Sequence, residues 1–121
     1  MRALILAPGI LIRLEGLVVL ALVGLLYAWN GGSWLLFAVL FLAPDLSMFG
    51  YAAGPRTGAA LYNLVHCYAA PAVMAGYGFL AKQPLVLSLA LILCGHIGLD
   101  RALAFGLKYP TGFKDTHLQR L

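Results

Sequence analysis

The sequence predicts an all-α protein, a compact bundle of four transmembrane helices with both termini in the cytoplasm and a short cytoplasmic C-terminal tail. Hydrophobic residues make up 63% of the chain and charged residues only 10%, whereas soluble domains average about 25% charged residues. Four apolar stretches approach the length of about 20 residues that crosses a bilayer. At 121 residues, these spans leave room for a single domain, 1–121, and for no sizeable extramembrane domain.

Turn-forming residues separate the four apolar stretches. Asn30-Gly31-Gly32 is a strong turn signal. Pro44 and Pro71 fall inside stretches, where each removes a backbone donor and predicts a kink. No cleavable signal peptide is expected, because Pro8-Gly9 interrupts the first apolar run and Arg13 follows directly. The predicted segments are spans at 14–29, 33–51, 59–80 and 85–108 and a tail at 109–121.

The basic residues are distributed unequally between the two ends of the predicted bundle. Four spans place both termini and the second connection on one side. That side carries six basic residues, whereas the other carries Lys82 alone. Because short cytoplasmic segments are enriched in Lys and Arg, we expect both termini to be cytoplasmic. The six are Arg2, Arg13, Arg56, Lys108, Lys114 and Arg120.

Ionisable side chains from three predicted spans converge at one depth. A rise of about 1.5 Å per residue places Asp45 about 18 Å from the outer boundary. His66 then lies about 12 Å from the cytoplasmic boundary, and His96 and Asp100 lie about 16 and 22 Å from the outer one. Glu15 begins the first span at the same cytoplasmic end. Because a charge in hydrocarbon is costly, such residues usually face a bundle interior and mark a functional site.

The residue types in this zone predict a divalent metal site. His96 and Asp100 are four residues apart and share one helix face, as do Tyr62 and His66. We expect Asp45, His66, His96 and Asp100 to hold zinc, manganese or iron, which imidazole and carboxylate ligands suit. A bound metal lowers the pKa of its water and makes hydrolysis feasible. The expected proton-transfer residues are Glu15 and His117.

The C-terminal tail is expected to fold back over the site. Lys108-Tyr109-Pro110-Thr111-Gly112 contains a Pro-x-Gly turn, which would bring Asp115 and His117 to the cytoplasmic mouth. Arg101 is offset by about 100° around the helix from Asp100. We expect its long side chain to extend towards the cytoplasmic surface.

Four stretches of the sequence have a recognisable pattern. They are Leu-Ala-Pro-Asp-Leu-Ser-Met-Phe-Gly-Tyr at 42–51, Tyr-Asn-x-x-His at 62–66, Gly-His-Ile-Gly-Leu-Asp-Arg at 95–101 and Gly-Leu-Lys-Tyr-Pro-Thr-Gly-Phe-Lys-Asp-Thr-His-Leu at 106–118. These stretches resemble a small integral-membrane family catalogued as domain of unknown function 4260. The resemblance runs from about Leu14 to the C-terminus, with Ala104-Phe105 where the family pattern has Gly-Tyr. It implies a membrane location and carries no established activity. A weaker likeness, of residue types only, is to bacterial membrane-bound metal-dependent hydrolases.

Three functions remain open on the sequence alone. The first is a metal-dependent hydrolase acting on a small amphiphilic substrate. The second is an accessory protein in which Glu15, Asp45, Asp100, Arg13 and Arg101 form a charge network that locks the helices together. The third is an ion- or proton-conducting homo-oligomer. In each case we expect a lipid bilayer as the partner, no nucleic acid, and the inner (plasma) membrane of a bacterium as the location.

Overall fold

Helices account for most of the residues that the computed structural model describes, which are 7–103, 106–108, Thr116 and Leu118. The predicted all-α class is confirmed, and these residues form no strand beyond one isolated antiparallel bridge between Lys108 and Thr116. The elements are α1 (Pro8–Asn30), α2 (Trp34–Leu40), a 3-10 helix (Ala43–Ala53), α3 (Pro55–His66), α4 (Ala69–Leu80) and α5 (Pro84–Ala102).

Proline and glycine define most of the helix ends. Pro8, Pro55 and Pro84 occupy first turns, where the missing N–H needs no partner and φ already suits a helix. α1 therefore begins at Pro8, six residues before the predicted first span. Gly31 ends α1 in the left-handed conformation, with φ 73°. The side chain of Ser33 then caps α2 by accepting a hydrogen bond from the Leu36 N–H.

Three helical segments are long and apolar enough to cross a bilayer. They are α1, the continuous stretch Trp34–Ala53 formed by α2 and the 3-10 helix, and α5, with mean hydropathies of 2.3, 1.7 and 1.6. Large apolar side chains such as Leu25 and Leu35 are 70–75% exposed on their outer faces. Lengths and exposed apolar faces together indicate an integral membrane protein. A span at the predicted third segment, 59–80, and the cytoplasmic location of both termini stay predictions.

The predicted third span, 59–80, is two helices instead of one. α3 and α4 have 12 residues each, and Cys67 between them is extended, with φ −98° and ψ 150°. Pro71 has no N–H to donate to the Cys67 carbonyl, and its ring crowds that group. The Ala70 N–H bonds to the Cys67 carbonyl instead, at 3.3 Å. The helix therefore breaks four residues before the proline, where the sequence predicts only a kink.

α5 is the central element and packs along α1 and α4, while the 3-10 helix packs on α3. Two glycines allow α1 and α5 to approach closely. A Cβ on Gly16 would lie 2.5 Å from the Gly98 carbonyl oxygen, and one on Gly98 would lie 2.8 Å from the Gly16 oxygen. Small residues at such crossings bring membrane helices into backbone contact. α5 ends at Ala102, six residues before the predicted boundary.

We expect Gly16→Ala to lower the free energy of unfolding by about 1–3 kcal/mol, because the added methyl group must push the two backbones apart. Gly24→Ala, in the same helix with open space around the position, is the matched control and should be neutral or slightly stabilising. Denaturant titration in detergent measures both. Equal effects of the two substitutions would contradict the close approach.

Candidate metal centre

Four predicted site residues lie together at the centre of the structure. Asp45, His66, His96 and Asp100 each offer one ligand atom, and these four atoms lie within 4.8 Å of one another. The residues come from the 3-10 helix, α3 and α5, so the cluster joins three separate elements. The convergence predicted from depth along the spans is therefore present in the fold.

Both imidazoles direct the same ring nitrogen into the cluster. Nε2 of His66 lies 3.2 Å from Nε2 of His96. Oδ1 of Asp45 lies 3.3 Å from the first nitrogen and 3.1 Å from the second. Oδ2 of Asp100 lies 3.5 and 3.2 Å from the same two nitrogens. Five of the six distances among the four atoms are thus between 3.1 and 3.5 Å.

These distances match the edges of a tetrahedral coordination site. Zinc binds histidine nitrogen and carboxylate oxygen at about 2.0–2.1 Å, so a regular tetrahedron of such ligands has edges of about 3.3–3.4 Å. The remaining separation, between the two carboxylate oxygens, is the largest and lies within 4.8 Å, whereas two ligands of one ion at about 2.1 Å are at most about 4.2 Å apart. The two imidazoles and one carboxylate can therefore hold such a cation as they lie, and the other carboxylate completes the site by turning inward.

The tautomer of His66 is set by the backbone. Its Nδ1 lies 2.9 Å from the Tyr62 carbonyl oxygen, one turn earlier in α3. A carbonyl can only accept, so Nδ1 carries the proton and donates it. In the neutral ring, Nε2 then presents a lone pair to the cluster. Metal-bound histidines are usually held in this way by a hydrogen bond to their other ring nitrogen.

Hydrogen bonds among the four ligand atoms do not satisfy all of them. One proton can be shared between the two Nε2 atoms, but two imidazolium N–H groups cannot point at each other across 3.2 Å. Oδ2 of Asp100 is buried and makes no hydrogen bond to any described residue, although Nε2 of His96 is 3.2 Å away. A buried, unpaired acceptor is costly. A divalent cation would satisfy all four atoms and balance the two carboxylate charges.

The side chains of the four candidate ligands differ in how far they are exposed. Those of His66, His96 and Asp100 are 1%, 2% and 12% exposed, whereas that of Asp45 is 38% exposed. The three shielded residues lie on α3 and α5. The 3-10 helix, which carries Asp45, therefore forms the open side of the centre.

Aromatic rings and the C-terminal segment surround the two histidines. The ring of Tyr62 stacks on His66 at 3.7 Å, and Lys108 Nζ lies 4.7 Å from the centre of the Tyr62 ring. Phe41 contacts His96 edge-on at 5.7 Å. Tyr62 was a candidate on spacing alone, and the structure places it directly against a predicted ligand.

Asn63 and Lys108 are functional candidates that the sequence analysis did not single out. The Asn63 side chain donates to the Lys108 carbonyl at 2.7 Å and accepts from the Lys108 N–H at 2.6 Å. This pair fixes the chain after α5 against α3. Burial lowers the pKa of the Lys108 ammonium, and the charges of Asp100 and Asp45 oppose that decrease. The motif Tyr-Asn-x-x-His includes Asn63 and is the one sequence signal that could have indicated it.

The prediction that Arg101 reaches the cytoplasmic surface is wrong. The residue is only 5% exposed, and its Nη2 donates to the His66 carbonyl at 2.9 Å. His66 ends α3, so this carbonyl has no N–H partner within the helix. Arg101 therefore caps the helix that carries one of the candidate ligands. Its guanidinium also lies over the ring of Tyr68, 5.8 Å from the centre.

Glu15 does not join the cluster. Its side chain is exposed and borders a separate cleft of about 260 Å³, which Cys67, Tyr68 and Arg101 also line. Arg13, the other charged residue at this end of α1, donates from Nε to the Ala102 carbonyl at 3.0 Å. The remaining predicted site residues, Asp115 and His117, lie outside the described residues.

We expect Arg101→Met to lower the free energy of unfolding by about 1.5–3 kcal/mol, because it removes a charged donor from a buried carbonyl. Arg13→Met is the matched control, since Arg13 also donates to a carbonyl at a helix end but is exposed. Its loss should cost well under about 1 kcal/mol. Thermal unfolding in detergent compares the two variants, and equal losses would contradict the capping role of Arg101.

The family comparison agrees with the stretches singled out in the sequence. No curated protein matches the chain, and no solved structure does. One family model matches residues 9–121, which include all four residues of the cluster. The chain belongs to the family described as Domain of unknown function (DUF4260).

Proposed function

We propose that this protein binds one divalent metal ion, zinc in the first place, and uses it to hydrolyse an amphiphilic substrate within the membrane. The observation that carries the proposal is the set of distances of 3.1–3.5 Å that join the two Nε2 atoms to each other and to the two carboxylate oxygens. Those distances suit a tetrahedral ion.

The chemistry of the donor set favours zinc. Two imidazoles and two carboxylates suit a borderline ion, and a small tetrahedral site suits zinc better than ions that prefer six oxygen ligands. Manganese and iron remain candidates on ligand type. Calcium and magnesium fit less well, because they prefer oxygen donors throughout.

The unequal exposure of the ligands supports a catalytic site over a closed structural one. Catalytic zinc sites have three protein ligands and one exchangeable position, where the metal lowers the pKa of a bound water. His66, His96 and Asp100 supply three shielded ligands. Asp45, the exposed fourth ligand, would be the one to exchange with water, and its Oδ1 would then accept that water's proton. Glu15 lies outside the cluster, and proton transfer by His117 stays a prediction.

The membrane location supports an amphiphilic substrate. Asp45 and His96 both lie within helical segments long enough to span a bilayer, so a substrate must reach the site from the lipid or from the near interface. The basic residues favour cytoplasmic termini, which would place the site in the cytoplasmic half of a bacterial inner membrane. An oligomer that conducts ions or protons stays a prediction.

The charge-network alternative is the main competitor, because the cluster also connects three elements and would hold them together. It predicts that the carboxylates and imidazoles stabilise the fold without a metal. The two accounts differ in whether the purified protein contains a stoichiometric metal ion.

We expect one equivalent of zinc per chain in protein purified without chelator, and loss of that zinc in Asp100→Asn and His96→Gln. Each substitution removes a shielded ligand. Elemental analysis by mass spectrometry measures the ratio. Glu15→Gln is the control, because it removes an acid outside the cluster and should keep a full equivalent. A wild-type protein with no metal after zinc loading would contradict the proposal.

We further expect the zinc-loaded protein to hydrolyse a p-nitrophenyl ester with a medium-length acyl chain in detergent, and to lose this activity when zinc is chelated. Asp45→Asn should retain zinc with weakened affinity and lose most of its turnover, because Oδ1 can no longer accept a proton. The release of p-nitrophenol measures turnover. Equal rates for wild type and Asp45→Asn at full zinc occupancy would contradict the role of Asp45.

A further inference from the structure

An apolar cleft of about 260 Å³ lies between α2, the 3-10 helix, α3 and α5. The last three of these elements also supply the ligands of the candidate metal centre. The walls of the cleft offer almost no polar surface. The lining side chains include Leu40, Pro44, Val65, Leu89, Ile92 and Leu93.

Residues that line the cleft are close in the chain to three of the candidate ligands. Pro44 directly precedes Asp45, and Val65 directly precedes His66. Ile92 lies one helical turn before His96, so the two side chains share a face of α5. This face of α5 therefore leads from the cleft to the candidate metal centre.

The length of the cleft suits part of a lipid chain. Asp100 lies two residues from the C-terminal end of α5, whereas Leu89 lies five residues from its N-terminal end. Leu89 lies seven residues before His96, so the cleft extends about 10 Å along α5 from the level of His96, away from the C-terminal end of the helix. An acyl chain in the cleft would follow the same direction from an ester held at the metal centre.

The cleft and its polar end differ in charge, as the hydrocarbon chain and the head group of a lipid do. The cleft itself is lined by uncharged side chains. At its polar end, a dication would balance the carboxylates of Asp45 and Asp100. Two cations lie nearby, since Arg101 donates to the His66 carbonyl and Lys108 lies over the Tyr62 ring. This end therefore complements an oxygen-rich or anionic head group, and the remainder complements hydrocarbon.

We propose that the cleft binds one acyl chain of a membrane lipid and so places the lipid's ester carbonyl at the metal centre. This inference rests on the proposed function and extends it by naming the class of substrate. The hydrolysis consumes one water: the acyl–oxygen bond breaks, water supplies the hydroxyl of the released carboxylic acid, and its proton passes to the alcohol.

The test uses cobalt-loaded full-length protein in nanodiscs and two hydroxamates, which bind metals through their oxygens. One is acetohydroxamate, and the other is a long-chain hydroxamate with a photoreactive diazirine part-way along its chain. Irradiation and peptide mapping identify the labelled residues. We expect labelling of 89–93 in α5 and of 43–44, and loss of that labelling when excess acetohydroxamate occupies the metal. Background labelling of lipid-facing Leu22 and Leu25 should not change.

Paired variants test the cleft itself. Leu89→Trp fills it, so labelling of 43–44 should be lost, whereas Leu85→Trp, one turn earlier and 60% exposed, should not reduce labelling. Leu89→Ala should retain the labelling, which shows that position 89 tolerates substitution. Labelling that acetohydroxamate does not displace, or that Leu89→Trp leaves intact, would overturn the cleft proposal.

The cobalt spectrum separates this outcome from failure of the proposed function. Absorption typical of tetrahedral cobalt, with a change on adding acetohydroxamate, shows an accessible metal whatever the labelling pattern. Absence of that absorption refutes the metal centre and, with it, the placement of a lipid ester.

Discussion

The rest of the structure depends on one constraint, the need to satisfy four polar atoms that share one small volume. These atoms are two imidazole nitrogens and two carboxylate oxygens. In a membrane protein these groups have little water to satisfy them. The two Nε2 atoms and Oδ1 of Asp45 lie within hydrogen-bond distance of one another, whereas the buried Oδ2 of Asp100 makes no hydrogen bond within the described residues. Leaving such groups unsatisfied in a low-dielectric interior is expensive. A cation would satisfy the four atoms together, and it would join the 3-10 helix, α3 and α5 at one point.

The helix breaks near the candidate metal centre position the groups that form it. Pro71 ends the run of helical hydrogen bonds at His66, which leaves the His66 carbonyl free for Arg101. The change from α2 to the 3-10 helix places Asp45 beside the two histidines.

The sequence was informative about residue types and depth, and less so about local geometry. The helical rise was enough to bring Asp45, His66, His96 and Asp100 to one level, because depth depends only on counting residues from the span ends. Counting residues did not place Glu15 relative to the cluster, because a position at the start of the predicted span says nothing about the direction in which the side chain points.

The burial of Arg101 was beyond prediction for a related reason. Its partner is the main-chain carbonyl of His66, which has no partner within α3 because the helix breaks before Pro71. No pattern of side chains in the sequence indicates this contact. Asn63 is a similar case, because its partner is the backbone of Lys108. Contacts to the backbone leave little trace in a single sequence.

The most direct measurement of the central claim is zinc K-edge X-ray absorption on the purified, zinc-loaded protein. The account predicts a first shell of nitrogen and oxygen at about 2.0–2.1 Å, with the outer-shell scattering of two imidazoles and no sulfur. A first shell without imidazole scattering, or one that contains sulfur from Cys67 or Cys94, would contradict it.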